Sequence, residues 1–546
     1  MTGEEIVKRY NSMGDARGNW ETSWQECADW CWPTNDNVNT IRTKGVEKPT
    51  QRLIDTCIEA LYNFASGFFS HMFTPNMIWA KIKHPNPEIM ADPDVAHYFE
   101  EVSRIIHSVL QGSNFAQEEF QTLMSIGCFG TNCMAIEEDD KNFVRFRNFT
   151  ISSVKMDQNH LGEIDTFGRE FEYSGKQAVQ KFGMEALKKA DLDEIIDSAR
   201  ESDEKKYKFI HFVTPRMEYD PKSKTSTNKP WASYYVCDKN KAIVKEGGFD
   251  LSPYVASRFT TGNDEIYGRG PMSMVLATAR RTNVIYRTML LSAEQNSTTL
   301  VAVPDDDSVK GFKRRAIDFI KWKTSNPNGI PSVLQTGDLS TPFEMYKMHE
   351  DQIKKMFFNH LFRSLEDYRN MTATEVNERV TMDLMSLASF VSRYEDEHIE
   401  KIINYVYYLC QKKKGMLPEP PVVLDDIAKY QIDYIGRLGL ATKNFETLGA
   451  IQTARVFGEL GTVDPRFIDA MDYMDHDDMF IRTWFAQSAS MSSLKGKQEV
   501  DDFREAKMKA AQMQQNIDNM PKVADSIQKV SGPIDASSVA SRLSEE

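Results

Sequence analysis

The stretch TATEVNERVTMDLMSLASFVSRYEDEHIEKIINYVYYLC, residues Thr372–Cys410, sets the scale of the fold. Thr372 and Glu375 form the S/T-x-x-E pattern, in which a hydroxyl and a carboxylate reciprocally satisfy the free N–H groups of a helix start. Behind this cap Val376, Val380, Leu384, Leu387, Val391, Tyr394, His398, Ile402, Tyr405 and Leu409 recur at spacings of three and four. That period draws one apolar stripe along a helix of roughly 40 residues, about 60 Å long at 1.5 Å rise per residue. Lys412, Lys413 and Lys414 suit its negative C-terminal end, and Gly415 with Pro418 closes it.

Upstream, Trp20, Trp24, Cys27 and Cys31 fall on one face of a helix that Pro33 stops. A second helix is expected from about Gln51 to Met72, with Ile54, Cys57, Leu61, Phe64 and Phe68 facing one way. Residues 93–127 read as helical with a break at Gly112 and Ser113, and the extended piece before them begins at Trp79. From Asn132 to Glu172, and again over 209–215 and 232–247, short alternating runs predict strands; Asp157–Gly162 is a turn between two of them. Pro271 opens a helix reaching about Glu294. A compact segment with Pro304, Pro327, Gly329, Pro331 and Gly337 then separates it from the next helix. The fold class is mixed α+β, mainly helical. Beyond about residue 490 the chain is poor in aromatics, and its last fifteen or so residues are expected to be mobile.

Length and composition allow several domains. The chain has 546 residues, 41% hydrophobic and 27% charged. The opening Met1–Arg9 does not read as a secretory signal, no apolar run reaches the length of a membrane span, and seven irregularly spaced cysteines do not suggest a disulfide framework. A net charge of -14 is unlike that of a protein that wraps DNA, although it suits a wall along which DNA must slide.

No phosphate-binding G-x-x-x-x-G-K-[ST] loop, G-x-S-x-G elbow or H-E-x-x-H pair occurs, so no residue is assigned a catalytic, cofactor-binding or metal-binding role. Cys27 and Cys31 share a packed helix face with two tryptophans, which favours burial over zinc. Asp475–Asp478 and Asp305–Asp307 read better as turn and capping residues than as cation ligands. Lys310, Lys313, Arg314, Arg315, Lys321 and Lys323 form the densest basic cluster. It meets DNA phosphates or an acidic partner, or it is a solvated face neutralised by the nearby aspartates. Arg280, Arg281 and Arg287 on the preceding helix pose the same choice, with salt bridges as the alternative. Arg363 and Arg369, just before the capping box, complete the candidate contacts to DNA or a partner.

Six segments taken in order carry a more specific signal. They are Trp20–Pro33; ALYNFASGFFSHMFTP (60–75) with Trp79; SIGCFGTNCMAI (125–136); Asp157, Gly162 and Arg169; IYGRGP (266–271); and MTATEV (371–376) with Arg379. Together they resemble the head-to-tail connector (portal) family of podovirus-type bacteriophages, over roughly residues 15–485. The resemblance implies a portal fold with wing (1–270), stem helices (271–295 and 341–358), clip (296–340), tunnel loop (359–371), long wing helix and return (372–440) and crown (441–546). It further implies a non-enzymatic virion subunit, assembled in the host cytoplasm as a twelve-fold ring at one capsid vertex. Its partners would be the capsid or scaffolding protein, terminase, a tail adaptor and the double-stranded DNA in the channel, with no membrane. Another virion structural protein, or a metal-dependent DNA-processing enzyme, is the alternative.

Overall fold

The computed structural model describes residues 1–15, 17–35, 37–39, 52–73, 78–90, 92–201, 205–220, 225–297, 301–302, 332–333, 340–362, 387–413, 415–421 and 430–434, with short helical pieces at 455–456, 500, 502–510 and 512–513. The N-terminal part holds helices α1 (Gly3–Asp15), α2 (Gly18–Cys31) and α3 (Thr56–Met72). On α2, Trp24, Cys27, Ala28 and Cys31 are buried, as their spacing requires, and Pro33 starts a single tight turn. Helix α3 begins later than expected because the residues before it are engaged in tertiary hydrogen bonds. The Leu53 N–H donates to Asn283 Oδ1 at 2.8 Å and Arg52 donates to the Asp29 carbonyl at 3.3 Å.

Strand β1 (Ala80–Lys83) and the short α4 (Pro87–Met90) lead to α5 (Pro93–Gly112) and α6 (Phe115–Phe129). Asp92 caps α5 by accepting from the Asp94 N–H at 3.0 Å. The break falls at Ser113, as predicted, and Gly130 ends α6 in the left-handed conformation at φ +77°.

Strands β2 (Thr131–Asp139) and β3 (Phe143–Phe149) form an antiparallel sheet with β9 (Tyr254–Arg258), in the order β3-β2-β9. A second antiparallel sheet has the order β4-β5-β6-β7-β8, from β4 (Val154–Gln158), β5 (Ile164–Ser174), β6 (Lys206–Pro215), β7 (Trp231–Cys237) and β8 (Ile243–Phe249). The β4–β5 turn uses Gly162 at φ +82° and Asn159, whose Oδ1 accepts from the N–H groups of Leu161 and Glu163. Alternation along β6 sends Tyr207 and Phe209 beneath α7 (Gly175–Phe182), α8 (Met184–Lys189) and α9 (Asp193–Glu201), and sends Ile210 and Phe212 toward Ile6 and Tyr10 of α1.

Helix α10 (Pro271–Ser297) is followed by the short antiparallel pair β10 (Val301–Ala302) and β11 (Ser332–Val333), then by α11 (Ser340–Met356). The expected long helix is present from Leu387 onward as α12 (Ala388–Tyr394), a π turn (Glu395–Ile399) and α13 (Glu400–Lys412). Over the described residues its stripe holds, with Leu387, Val391, Tyr394, His398, Ile402, Tyr405 and Leu409 all buried; Val376, Val380 and Leu384 lie outside them. Beyond it, β12 (Gln431–Tyr434) returns to pair with β1. The main core joins α2, α3, α5, α6, the three-stranded sheet and α12–α13, centred on Phe64, Phe68, Phe259, Phe357 and Phe390. Among the described residues no helix is long and apolar enough to cross a membrane.

Candidate functional site

The Tyr267-Gly-Arg-Gly-Pro271 motif is where α10 leaves the body, and each residue has a physical task. Gly268 and Gly270 lie flat against the end of α6. A Cβ on Gly268 would sit 2.5 Å from the Gly130 carbonyl oxygen, and one on Gly270 would sit 2.5 Å from that of Ile126. Thr131 seals the contact, its Oγ1 accepting from the Gly268 N–H at 2.8 Å. Tyr267 is buried edge-on against Trp24 with ring centroids 5.0 Å apart, and its hydroxyl accepts from the Met156 N–H at 3.2 Å. Arg269 pairs with Glu265 at 2.6 Å and lies over the Trp20 ring. The tryptophan face of α2 therefore clamps the α10 root, and the Trp24 indole N–H donates to the Phe129 carbonyl at 3.2 Å.

A second anchor is polar and deeply buried. Glu119 of α6 is wholly buried, and its carboxylate accepts from the Tyr394 hydroxyl and pairs with His398 Nε2 at 2.9 Å. One residue before His398, Glu397 takes the Arg258 guanidinium at 2.6 Å and also accepts from the Arg258 N–H at 3.0 Å. Both acidic contacts converge on the π turn, where the consecutive residues Glu397 and His398 reach two different neighbours. A carboxylate without water is tolerable only when so bonded. Arg17 plays a comparable part under α2, donating to the carbonyls of Ile151, Ser152 and Val154 and to Glu21.

Burial along the α10/α11 pair falls from root to tip. Met272, Val275 and Ala279 are buried on α10, as are His349 and Ile353 on α11. Beyond them no residue of 283–294 and none of 340–348 is buried. There the two helices rest on each other, with Tyr286 against Tyr346 at 5.6 Å. Large apolar groups remain uncovered: Val284 is 63% exposed, Leu291 51%, Met348 51% and Phe343 45%. A 27-residue helix spans about 40 Å, so beyond its buried root the pair is an exposed arm.

Of the candidate contact residues, Arg280 is paired within the chain to Glu26 of α2. Arg281 is exposed on the arm, its Nε donating to the Ala277 carbonyl at 3.2 Å. Lys313, Arg314, Arg315, Arg363, Arg369, Thr372 and Glu375 lie outside the described residues, so the structure brings none of them together. Sequence reading passed over Arg17, Arg258 and Glu119. Glu119 left a trace, standing four residues from both Phe115 and Leu123 on the buried face of α6.

A layered α+β body with a clamped helical arm defines a structural class, a subunit whose paired helices extend from a packed body. Residues 3–494 match the family described as Bacteriophage head to tail connecting protein, and the chain belongs to that family. It is similar to the Portal protein of Salmonella phage epsilon15, 24% identical over 526 residues that cover 94% of this chain and 92% of that protein. It is likewise similar to the Probable portal protein of Bordetella phage BPP-1, at 22% identity over 480 residues covering 86% and 84%.

Proposed function

We propose that this chain is a phage portal subunit, a homo-oligomer closed into a ring at one capsid vertex through which double-stranded DNA is packaged and later released. The observation that carries this reading is the uncovered apolar arm in a chain of the connector family. A lone subunit gains nothing by exposing Val284, Leu291, Phe343 and Met348 along one pair of helices. Copies related by rotation would cover them, since a head-to-tail contact with rotational closure makes a ring.

On this reading 1–270 and 372–440 form the wing, 271–295 with 341–358 the stem, 296–340 the clip, 359–371 the tunnel loop and 441–546 the crown. The copy number of twelve follows from the family resemblance. Terminase and then a tail adaptor dock at the clip, and the capsid or scaffolding protein surrounds the wing. A charge of -14 per copy disfavours adhesion of DNA to the bore. Arg281 is the described candidate for contact with DNA or a neighbour, whereas Arg280 is engaged by Glu26.

Combined Val284→Asp and Leu291→Asp substitution tests the arm. Because neither side chain is buried in the subunit, the melting temperature of the subunit should stay put while rings vanish from negative-stain images. Undiminished rings would place the subunit contact elsewhere.

A further inference from the structure

Four cysteines meet where α2, α3 and α6 pack. Cys27, Cys31, Cys57 and Cys128 are each 1% exposed or less, and Cys31 Sγ lies 3.1 Å from Cys128 Sγ. Cys31 is the last residue of α2 and Cys128 the penultimate residue of α6, so both sit at helix ends where small rotations are cheap. Trp32 and Phe129, the residues that follow the two cysteines, keep these ends together with ring centroids 6.0 Å apart. Closing the pair to a covalent bond of about 2.05 Å requires the sulfurs to approach by only about 1 Å. Among the described residues no three His, Cys, Asp or Glu side chains are arranged to hold a metal ion, which leaves sulfur chemistry for this cluster.

We propose that Cys31 and Cys128 are a facultative redox site, a dithiol that a small-molecule disulfide converts into an intrachain cross-link. In the first step one cysteine thiolate attacks a sulfur of the reagent, forming a mixed disulfide and releasing one thiol. In the second, the other cysteine attacks the protein-side sulfur, forming the Cys31–Cys128 bond and releasing the second thiol. Two protein thiols are oxidised, one reagent disulfide is reduced, and the protons end on the released thiols. Burial pushes both protein thiols up, so thiolate is scarce in the closed structure and reaction waits on local opening of α2. The subunit would thus fold reduced and be locked slowly afterwards. The bond would close a span of 97 residues and pin α2, the helix that clamps the arm, to α6. The chemistry does not depend on the portal reading; its use, a lock gained after a particle leaves a reducing cytosol, does.

The test uses the purified full-length chain, incubated with oxidised glutathione at mildly alkaline pH, quenched with N-ethylmaleimide and digested without reduction. Fragmentation spectra should show Cys31 joined to Cys128, with a melting temperature raised by a few degrees and restored by dithiothreitol. Cys27→Ala should keep both effects, and Cys128→Ala should lose both. Alkylation of Cys31 and Cys128 as free thiols after prolonged oxidation overturns the proposal. So does a glutathione adduct that never resolves, or a bond from Cys31 to Cys27 or Cys57. None of these readouts requires rings, so they are independent of the oligomer.

Discussion

His211 is a titratable group held away from water. Its ring stacks on Tyr235 with centroids 4.0 Å apart; Nδ1 meets the Tyr254 hydroxyl at 2.6 Å and Nε2 the Ser233 hydroxyl at 2.9 Å. Burial, followed by the positive charges of Arg169 and Lys181, holds its pKa down at about 3 against an ordinary 6.5. Between those values the unfolded chain binds a proton that the folded chain refuses, so this residue's contribution to stability is lost as pH falls through that window. His211→Gln retains hydrogen-bonding capacity but removes the titration. The decline of melting temperature from pH 6.5 toward 4 should be shallower in the variant, whatever its starting value, and parallel declines would refute the assignment. At this scale legibility depended on how local a residue's task is. His398 stood visibly in an apolar stripe, whereas the glycines of Tyr267–Pro271 entered only through the family resemblance. Arg17 gave no such sign, because the carbonyls it serves are 134 to 137 residues away.

Elements were legible in proportion to their length and one-sidedness. Helices α2 and α3 and the run from Leu387 to Lys412 present apolar faces whose periodicity shows in the sequence, and Pro271 marked the start of α10. Helices α7–α9 have only six to nine residues each, too few for a period to show, though Ser174 and Gln177 form a capping box that could have marked the first. Strand β9 is buried at all five positions, so it has no alternation to detect. The π turn at Glu395–Ile399 was invisible for a different reason: its stabilisation comes from Arg258 and Glu119, on other elements. The junction of α6 with α10 makes its own prediction. In Gly268→Ala the new methyl group would meet the Gly130 carbonyl oxygen and the backbone N–H of Phe259, neither of which can move freely. A loss of about 2–3 kcal/mol should follow, read as an earlier denaturant midpoint, together with fewer rings because the arm is mis-seated. A midpoint within error of the parent would contradict the packing role assigned to that glycine.

For the whole molecule, composition and charge removed competitors without naming a function, since an acidic mixed α+β chain suits many roles. The order of six segments carried the family, and the match over residues 3–494 agrees with it. The geometry adds a reason for those segments to occur together: α2, the 125–136 stretch and the Tyr267–Pro271 motif meet at one junction, where they clamp the base of an exposed helical arm. The proposed ring closure is not legible in residues or elements, because curvature is set by the angle between copies. The central claim is therefore best tested by mass photometry of the purified full-length protein, backed by negative-stain images. The account predicts one dominant closed species with a central hole, at an integral multiple, twelve by family resemblance, of the 62.6 kDa subunit. A population that stays at 62.6 kDa across the concentrations at which connectors assemble, with no ring in the images, would contradict it.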